Sequence, residues 1–215
     1  MNQSRLFFEF NTENIILALP NQKNMVTPFI SYCKANHTLS PKFIKLIRSD
    51  AYILEVSRHQ DLTQILQDTD STFFLSSGLI RKYIEHQGKD ITLDFLSEDN
   101  LLDSDLFKYQ YLEGQELRLR ALEDSRLIVM PHALINKLLR HCPESGFILK
   151  TLMTRKIYQL NEQAALSRIP DASSRYQIFC SLFSNPKRIP GKYLASYLGM
   201  RQETLSRIKA STELN

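Results

Sequence analysis

Four polar residues near the C-terminal end of the chain are spaced so that one face of a helix would present them together. They are Gln202, Glu203, Ser206 and Arg207. Gln can bind the N6 and N7 atoms of adenine, Glu can accept a hydrogen bond from cytosine N4, and Arg can bind guanine O6 and N7 in bidentate fashion. This is the side-chain chemistry of base recognition in a DNA major groove. The alternative for each residue is an ordinary polar side chain that faces solvent.

Four neighbouring residues are suited to contact phosphates. Lys192 and Arg201 lie near predicted helix ends, and Thr204 and Lys209 flank the polar face. Phosphate contacts position a protein on DNA and carry no sequence information by themselves. For Lys209, a solvent-facing role fits the sequence almost as well.

Two short helices are needed to position these residues, and the segment 191–210, GKYLASYLGMRQETLSRIKA, fits that requirement. A helix-turn-helix needs a small residue where its helices cross and a Gly in the turn. Ala195 and Gly199 stand at those places. Apolar residues occupy the offsets that hold the helices together: Leu194, Leu198, Met200, Leu205 and Ile208. The pattern predicts a first helix over about 191–198 and a second over about 201–210.

The positive charge of the chain is concentrated around this motif. Residues 1–149 contain 16 Lys and Arg against 19 Asp and Glu, a net charge of −3, whereas residues 150–215 contain 11 against 4, a net charge of +7. Lys and Arg that neutralise phosphates gain free energy from counterion release, so a basic segment of this kind favours a polyanionic partner. Charge alone leaves a solvated basic surface as an open alternative.

Ahead of the basic segment, the sequence predicts a helix and then a small antiparallel barrel or roll. Ser40 is suited to cap a helix that begins with Pro41 and ends at about Asp50. From residue 51 onward, short apolar segments separated by turns are typical of strands: AYILEV, STFFLSSG, LIRKYIE, DITLDFL and RLIVM. Gly88 falls where a hairpin turn needs positive φ, and Gly78 fits a second tight turn or bulge.

A helical region follows the strands. PHALINKLLRHCP predicts a short helix, and residues 144–168 predict a long one because they contain no Pro and carry an apolar stripe. The stripe consists of Leu149, Met153, Ile157, Leu160 and Ala164. It packs either on the chain's own core or on a second copy, and we favour a homodimer because this helix has little core of its own to cover. Pro170 ends the helix, and Asp171 or Ser173 is suited to cap the next one.

The motif RIPGKYLASYLGMRQETLSRI, with DASSRYQIF ahead of it, resembles the C-terminal region of the Crp/Fnr family of bacterial transcription regulators. FFLSSGLIRKYIEHQGKDITLDFLSEDNLL, followed by RALEDSRLIVMP, looks like that family's cyclic-nucleotide-binding β-roll. The resemblance covers roughly residues 25–208 and implies an α+β fold. Its parts are an N-terminal double-stranded β-roll that acts as sensor (1–143), a long dimerisation helix (144–168) and a C-terminal winged-helix/helix-turn-helix DNA-binding domain (169–215).

The resemblance implies a cytoplasmic, sequence-specific regulator that binds double-stranded DNA at a two-fold symmetric operator as a homodimer. Gln202, Glu203 and Arg207 correspond to the family's base-contacting residues, and Gln202 stands where an Arg is common. RNA polymerase and an unidentified small-molecule effector are further partners that the resemblance allows. The competing interpretation is a small-molecule-binding sensor that acts through protein–protein contacts, with the helical module as its contact surface.

The expected ligand pocket departs from the family's pattern. Members that bind cyclic AMP hold its phosphate with an Arg-Ser pair and carry a Gly-Glu pair upstream. Leu112 and Glu113 stand where Arg-Ser is expected, and Leu102-Asp103 stands near the Gly-Glu position. Because a carboxylate repels a phosphate, we expect a degenerate pocket at Asp103, Leu112 and Glu113 that does not bind cyclic AMP in the family's usual way.

Metal and cofactor chemistry has little support in the sequence. The cysteines lack zinc spacing, and the lone Cys33 near the N-terminus cannot supply the ligands of an iron–sulfur cluster. A single haem ligand at His86, His132 or Cys33 stays open, although a core or surface role is the favoured interpretation for each. We therefore expect no cofactor and no metal.

Enzymatic activity and membrane insertion are also disfavoured. The sequence contains no Gly-rich phosphate loop and no nucleophile elbow, so no catalytic residue is expected. It contains no apolar run of about 18 residues that would predict a membrane span. Residues 1–24 fall outside the resemblance and have no predicted role.

Overall fold

The computed structural model describes residues 24–107 and 115–213. Two helices precede the strands, α1 (Thr27–Lys34) and α2 (Pro41–Asp50). The predicted start of α2 is confirmed, because the Ser40 hydroxyl oxygen accepts a hydrogen bond from the Phe43 backbone N–H at 3.1 Å and Pro41 begins the helix.

Within the described residues, seven antiparallel strands form the predicted β-roll, and the short helix α3 (Thr63–Gln67) lies between the first two. The strands are β1 (Tyr52–Val56), β2 (Ser71–Ser77), β3 (Ile80–His86), β4 (Lys89–Leu96), β5 (Leu101–Asp103), β6 (Leu117–Ala121) and β7 (Ser125–Pro131). One sheet has the order β1-β7-β2-β5 and the other the order β4-β3-β6. The sequence patterns predict five of these strands and miss β5 and β6.

Side chains of the first sheet alternate between two apolar clusters, as the period of a strand requires. Phe73 and Leu75 of β2 join Leu119 of β6 in the cluster between the two sheets. Phe74 lies on the opposite face, where the helices cover the sheet, and its ring centre is 5.2 Å from that of Phe29. The roll therefore has a filled interior and a helix-covered outer face.

Glycines with positive φ form both of the predicted turns. Gly88 (φ +72°) and Gln87 (φ +51°) make the two-residue connection between β3 and β4, which has the geometry of a type I′ hairpin. Gly78 (φ +108°) makes the turn between β2 and β3, and a Cβ added there would lie 2.7 Å from the Cα atom of Ser125. Only glycine fits this second turn without displacing the backbone of its neighbour.

The helices α4 (His132–His141) and α5 (Glu144–Arg168) follow β7 at the predicted positions. The predicted stripe on α5 is largely exposed in a single chain. Met153 and Ile157 are each 58% exposed and Leu160 is 44% exposed, whereas Leu149 is half-buried. Most of the stripe is therefore left uncovered by the chain's own core.

The C-terminal module consists of α6 (Ala172–Leu182), a 3-10 turn at Pro186–Arg188, α7 (Gly191–Tyr197) and α8 (Gln202–Glu213). Asp171 caps α6, since its carboxylate accepts a hydrogen bond from the Ser174 backbone N–H at 2.6 Å. The structure describes no strand within residues 169–213, so the strands of the expected wing are not among the elements of this segment. In the two described ranges, no helix is long and apolar enough to cross a membrane.

Candidate nucleic-acid interface

The helices α7 and α8 form the predicted helix-turn-helix. Gly199 adopts φ +62° in the turn, and the Met200 backbone N–H donates a hydrogen bond to the Ala195 carbonyl at 3.0 Å. Ala195 is 2% exposed, as expected of a small residue where two helices cross. The second helix runs to Glu213 instead of ending near residue 210, because the segment ASTE contains neither Gly nor Pro.

The predicted apolar positions of the motif face inward. Leu194, Leu198, Leu205 and Ile208 are buried, and Met200 is partly buried. One side of α8 is therefore used to pack on α6 and α7, and its opposite side is left to solvent.

The four predicted base-contacting residues lie together on that exposed side: Gln202, Glu203, Ser206 and Arg207. The Ser206 hydroxyl donates a hydrogen bond to the Gln202 carbonyl within the helix, at 3.0 Å. The amide, carboxylate and guanidinium groups of the other three are all exposed. The structure thus brings these residues to one face of one helix, and their contacts with bases stay predictions.

The residues predicted to contact phosphates surround this face. Lys192 and Arg201 are exposed, and Thr204 and Lys209 are half-buried. The Lys209 ammonium lies 6.0 Å from the ring centre of Tyr176, and the Lys192 ammonium lies 4.6 Å from that of Tyr193. These aromatic contacts restrict where the two ammonium groups can point.

A residue that sequence reasoning missed, Arg175 of α6, holds the turn of the motif in place. Its Nε donates a hydrogen bond to the Leu198 carbonyl at 2.8 Å, and its Nη1 donates to the carbonyls of Ile169 and Pro170 at 2.6 and 3.0 Å. Arg175 therefore ties the end of α7 to the break after α5. No local pattern signals this role, because Leu198 lies 23 residues away.

Arg188 connects the helical module to the β-roll. Its guanidinium donates hydrogen bonds to Glu98 at 2.8 Å, to Glu123 at 2.6 Å and to the Gly78 carbonyl at 2.9 Å. The hydrogen bonds from Arg188 lower the pKa of Glu98 from 4.5 to about 2. The hydrogen bonds to Glu123 and Glu98 in turn raise the pKa of Arg188.

A second arginine, Arg81 of β3, is fully buried at the same boundary. Its guanidinium carbon lies 4.2 Å from the ring centre of Tyr83 and 4.0 Å from that of Tyr193 on α7. Its Nη1 lies 3.0 Å from a carboxylate oxygen of Asp90. The helical module therefore packs directly on the second sheet, through charged and aromatic groups as well as through apolar contacts.

Comparisons by sequence and by structure give different results. No protein-family profile matches the sequence, and no curated protein is detectably similar to it. A transcriptional regulator assigned to the Crp/Fnr family from Eubacterium rectale has a similar structure: it is 18% identical, with a TM-score of 0.58, over 82% of this chain and 84% of that chain. A CooA mutant from Carboxydothermus hydrogenoformans is 14% identical, with a TM-score of 0.59, over 94% of this chain and 85% of that chain. The chain has the Crp/Fnr fold.

A third solved structure agrees with this result. A cyclic nucleotide-binding domain containing protein from Listeria monocytogenes is 14% identical, with a TM-score of 0.61, over 86% of this chain and 89% of that chain. The expected α+β architecture of roll, long helix and helical C-terminal part is confirmed. At such identities the similarity establishes the fold and not the function.

Of the residues expected in the ligand pocket of the Crp/Fnr fold, the structure describes Asp103. Its carboxylate accepts hydrogen bonds from the Thr72 hydroxyl at 2.6 Å and from the Asp105 backbone N–H at 2.9 Å. The His132 Nε2 lies 3.2 Å from the same carboxylate. Leu112 and Glu113 lie outside the described residues. Asp103 is thus held by protein groups at the end of β5.

His132 also belongs to a group with the chemistry of a metal site. One donor atom each of Asp70, Asp105 and His132 lies within 4.8 Å of the others. Asp70 is exposed, and the His132 ring is already within hydrogen-bonding distance of Asp103. Exposed acidic groups are common in proteins without a metal ion, so this grouping by itself does not define a metal site.

The other two residues left open as haem ligands have ordinary positions. Cys33 is a core residue, and burial raises its pKa to about 12. A ring nitrogen of His86 lies 2.6 Å from the side-chain nitrogen of Gln115 at the surface.

Proposed function

We propose that the protein is a sequence-specific, DNA-binding transcriptional regulator of the Crp/Fnr type. The observation that carries the proposal is the division of α8 into two sides. Leu205 and Ile208 are buried against the other helices, while Gln202, Glu203 and Arg207 are exposed together. A helix held rigidly by its apolar side and exposing hydrogen-bonding groups on the other is suited to enter a major groove.

Electrostatics supports the same proposal. The net charge of +7 over residues 150–215 would supply counterion release on binding DNA. In the proposed complex, Gln202, Glu203, Ser206 and Arg207 contact base edges, and Lys192, Arg201, Thr204 and Lys209 contact phosphates. Substitution of a base-contacting residue should therefore change sequence selectivity, whereas substitution of a phosphate-contacting residue should weaken binding to all sequences.

The proposed regulator is a homodimer whose protomers pair along α5. Met153, Ile157 and Leu160 form an exposed apolar stripe on that helix, and a second copy of the same stripe would cover it. A two-fold dimer presents two recognition helices to two major grooves about 34 Å apart, so the operator is two-fold symmetric. The sensor over 1–143, the dimerisation helix over 144–168 and the DNA-binding part over 169–215 complete the proposal, with RNA polymerase as a further partner.

The proposed regulator does not respond to cyclic AMP. Glu113 would place a carboxylate where a cyclic phosphate needs a cation, and Asp103 is already engaged by Thr72 and Asp105. Calorimetric titration with cyclic AMP should give no binding heat, and micromolar affinity would contradict this part of the proposal.

Two matched variants of α8 test the proposed function. With a binding site selected from random DNA, Arg207→Ala should cost about 1–3 kcal/mol at its cognate base pair and relax selectivity there. Lys209→Ala should weaken binding to all sequences alike and reduce the salt dependence by about one ion. If Arg207→Ala binds operator and random DNA like the parent, α8 does not read the bases, and the sensor that acts through protein contacts becomes the better account.

A further inference from the structure

A cavity of about 500 Å³ lies on the outer face of the first sheet, between β5 and the helices α1, α4 and α5. Its walls are mostly apolar and come from separate elements: Phe29 of α1, Leu101 of β5, Ile135 of α4, and Ile148 and Leu152 of α5. Sites that bind small organic molecules have volumes of about 300–1,000 Å³, and the volume of this cavity lies in that range. Such sites are also lined mostly by apolar side chains, as this cavity is.

The cavity is separate from the interior of the roll. Thr72 and Met130 line it, and they point to the same side of the sheet as Phe74, in the cluster covered by helices. The space between the two sheets is filled by other side chains, among them Phe73 and Leu75. A ligand of the outer cavity would therefore contact the helices and the edge strand β5, without entering the roll.

A buried hydroxyl group on the cavity wall lacks a partner. Ser145, in the first turn of α5, lines the cavity and is 6% exposed. Its hydroxyl oxygen has no hydrogen-bond partner among the residues that the structure describes. Buried hydroxyls are normally satisfied by protein, water or ligand, so this one points to a bound molecule with its own hydrogen-bonding group.

The remaining polar groups of the cavity include acidic and basic side chains. Asp103 and His132 face one another across 3.2 Å, and Arg155 and Lys156 are engaged by Tyr32 and Asp94. Asp99 and Asp105 also line the cavity, and the hydrogen-bond partner of Arg155 is the neutral Tyr32 hydroxyl, so the lining combines a mostly apolar wall with charged groups of both signs.

We propose that this cavity binds a small, mostly apolar molecule, either aromatic or aliphatic, whose single hydroxyl group hydrogen-bonds to Ser145. The inference is independent of DNA binding, since it concerns other residues and a different partner.

A pair of ligands that differ by one hydroxyl tests the proposal with the full-length protein. N-phenyl-1-naphthylamine serves as a fluorescent reporter, and 2-naphthol and naphthalene displace it in competition titrations. Both competitors should bind with one site per chain. Ser145→Ala should weaken 2-naphthol about three- to tenfold, which is the range of one neutral hydrogen bond, and leave naphthalene within about twofold of the parent.

Variants that fill the cavity locate the binding site. Leu101→Trp and Ile135→Trp add volume from two different elements, β5 and α4, and should each abolish reporter binding. Ile178→Trp is the matched control, because Ile178 is 38% exposed on α6 and does not line the cavity. Circular dichroism establishes whether each variant is folded. Two filling variants are used so that the test can still be made if one of them does not fold.

Several results would overturn the proposal. Reporter binding that survives both filling variants would place the dye elsewhere, for instance on the part of the α5 stripe that does not line the cavity, at Ile157 and Leu160. A full-length protein that binds no reporter would mean that the cavity is occupied by the chain itself, and binding that appears only on dilution would mean that a second copy covers it. Equal weakening of both competitors by Ser145→Ala would remove the assigned role of the hydroxyl.

Discussion

Replacing Arg188 by Met should weaken the attachment of the helical module to the roll. Arg188→Met keeps most of the side-chain volume and removes the charge and all of the hydrogen bonds to Glu98, Glu123 and the Gly78 carbonyl. The Arg188 side chain is only 20% exposed, so the two carboxylates would lose a partially desolvated cation. Arg188→Lys is the matched control, since it keeps the charge without the planar fork.

The pKa of Glu98 sets the size of the effect. Its fall from 4.5 to about 2 corresponds to about 3.4 kcal/mol, at 1.36 kcal/mol per pH unit. The Glu98 side chain is 41% exposed, so screening by solvent reduces this figure to about 1–2 kcal/mol. The hydrogen bonds to Glu123 and Gly78 add roughly 1 kcal/mol. We expect Arg188→Met to lower the free energy of unfolding by about 2–3 kcal/mol at pH 7 and Arg188→Lys by about half as much.

The pH dependence distinguishes the ion pair from simple packing. A carboxyl whose pKa is lowered in the folded state stabilises the protein above its unfolded pKa, here 4.5, and the contribution is lost as the pH falls toward 2. Urea unfolding followed by circular dichroism at pH 7 and pH 3 measures it. The difference between parent and Arg188→Met should shrink by about 1 kcal/mol or more at pH 3. An equal difference at both pH values would refute the reasoning, because it would assign the whole effect to lost packing.

Three further predictions concern the roll, the long helix and the cysteines. Gly78→Ala should lower the free energy of unfolding by about 2–4 kcal/mol, because its Cβ would meet the Ser125 backbone. Gly88→Ala should lower it by only about 1 kcal/mol, because the space around Gly88 is open. Equal losses of the two variants in urea unfolding would contradict this prediction. Ile157→Glu should convert the proposed dimer to monomer in sedimentation velocity by placing a charge in the stripe, while the control Ala165→Glu, one residue beyond the stripe's Ala164, should leave the proposed dimer intact. Iodoacetamide at pH 8 should label the half-buried Cys180 and spare Cys33, whose pKa is raised to about 12. Mass spectrometry after digestion measures the labelling of each cysteine, and labelling of Cys33 as fast as that of Cys180 would contradict this prediction.

Local sequence signals account for the elements that could be predicted. The Ser40 cap, the Gly88 hairpin and the helix over 144–168 each depend on residues within a few positions of one another. The helix-turn-helix belongs to the same class, because Ala195 and Gly199 act within one short segment. Such local patterns can be recognised in the sequence without knowledge of the rest of the fold.

The two strands that the sequence patterns missed, β5 and β6, were missed for different reasons. β5 has three residues, too few for a period to be seen. β6 reads LRLRA and alternates buried Leu with half-buried Arg, a pattern that alone could have revealed it.

Long-range contacts could not be predicted from the sequence. Arg188 finds Glu98 and Glu123 only because the module packs against the turns of the roll, 90 and 65 residues away. Arg81 lies between Tyr83 and Tyr193 for the same reason, since Tyr193 belongs to α7. The exposed face of α8 could be predicted from the sequence. The long-range contacts that fix the position of the helical module relative to the roll could not.

Selection of binding sites from random DNA tests the central claim most directly. The purified full-length protein is incubated with a randomised duplex library, and bound sequences are amplified and sequenced. We expect enrichment of a two-fold symmetric sequence with half-sites centred about one helical turn, or 34 Å, apart, bound with affinity that falls steeply with salt. A library that stays random after repeated rounds would contradict the account.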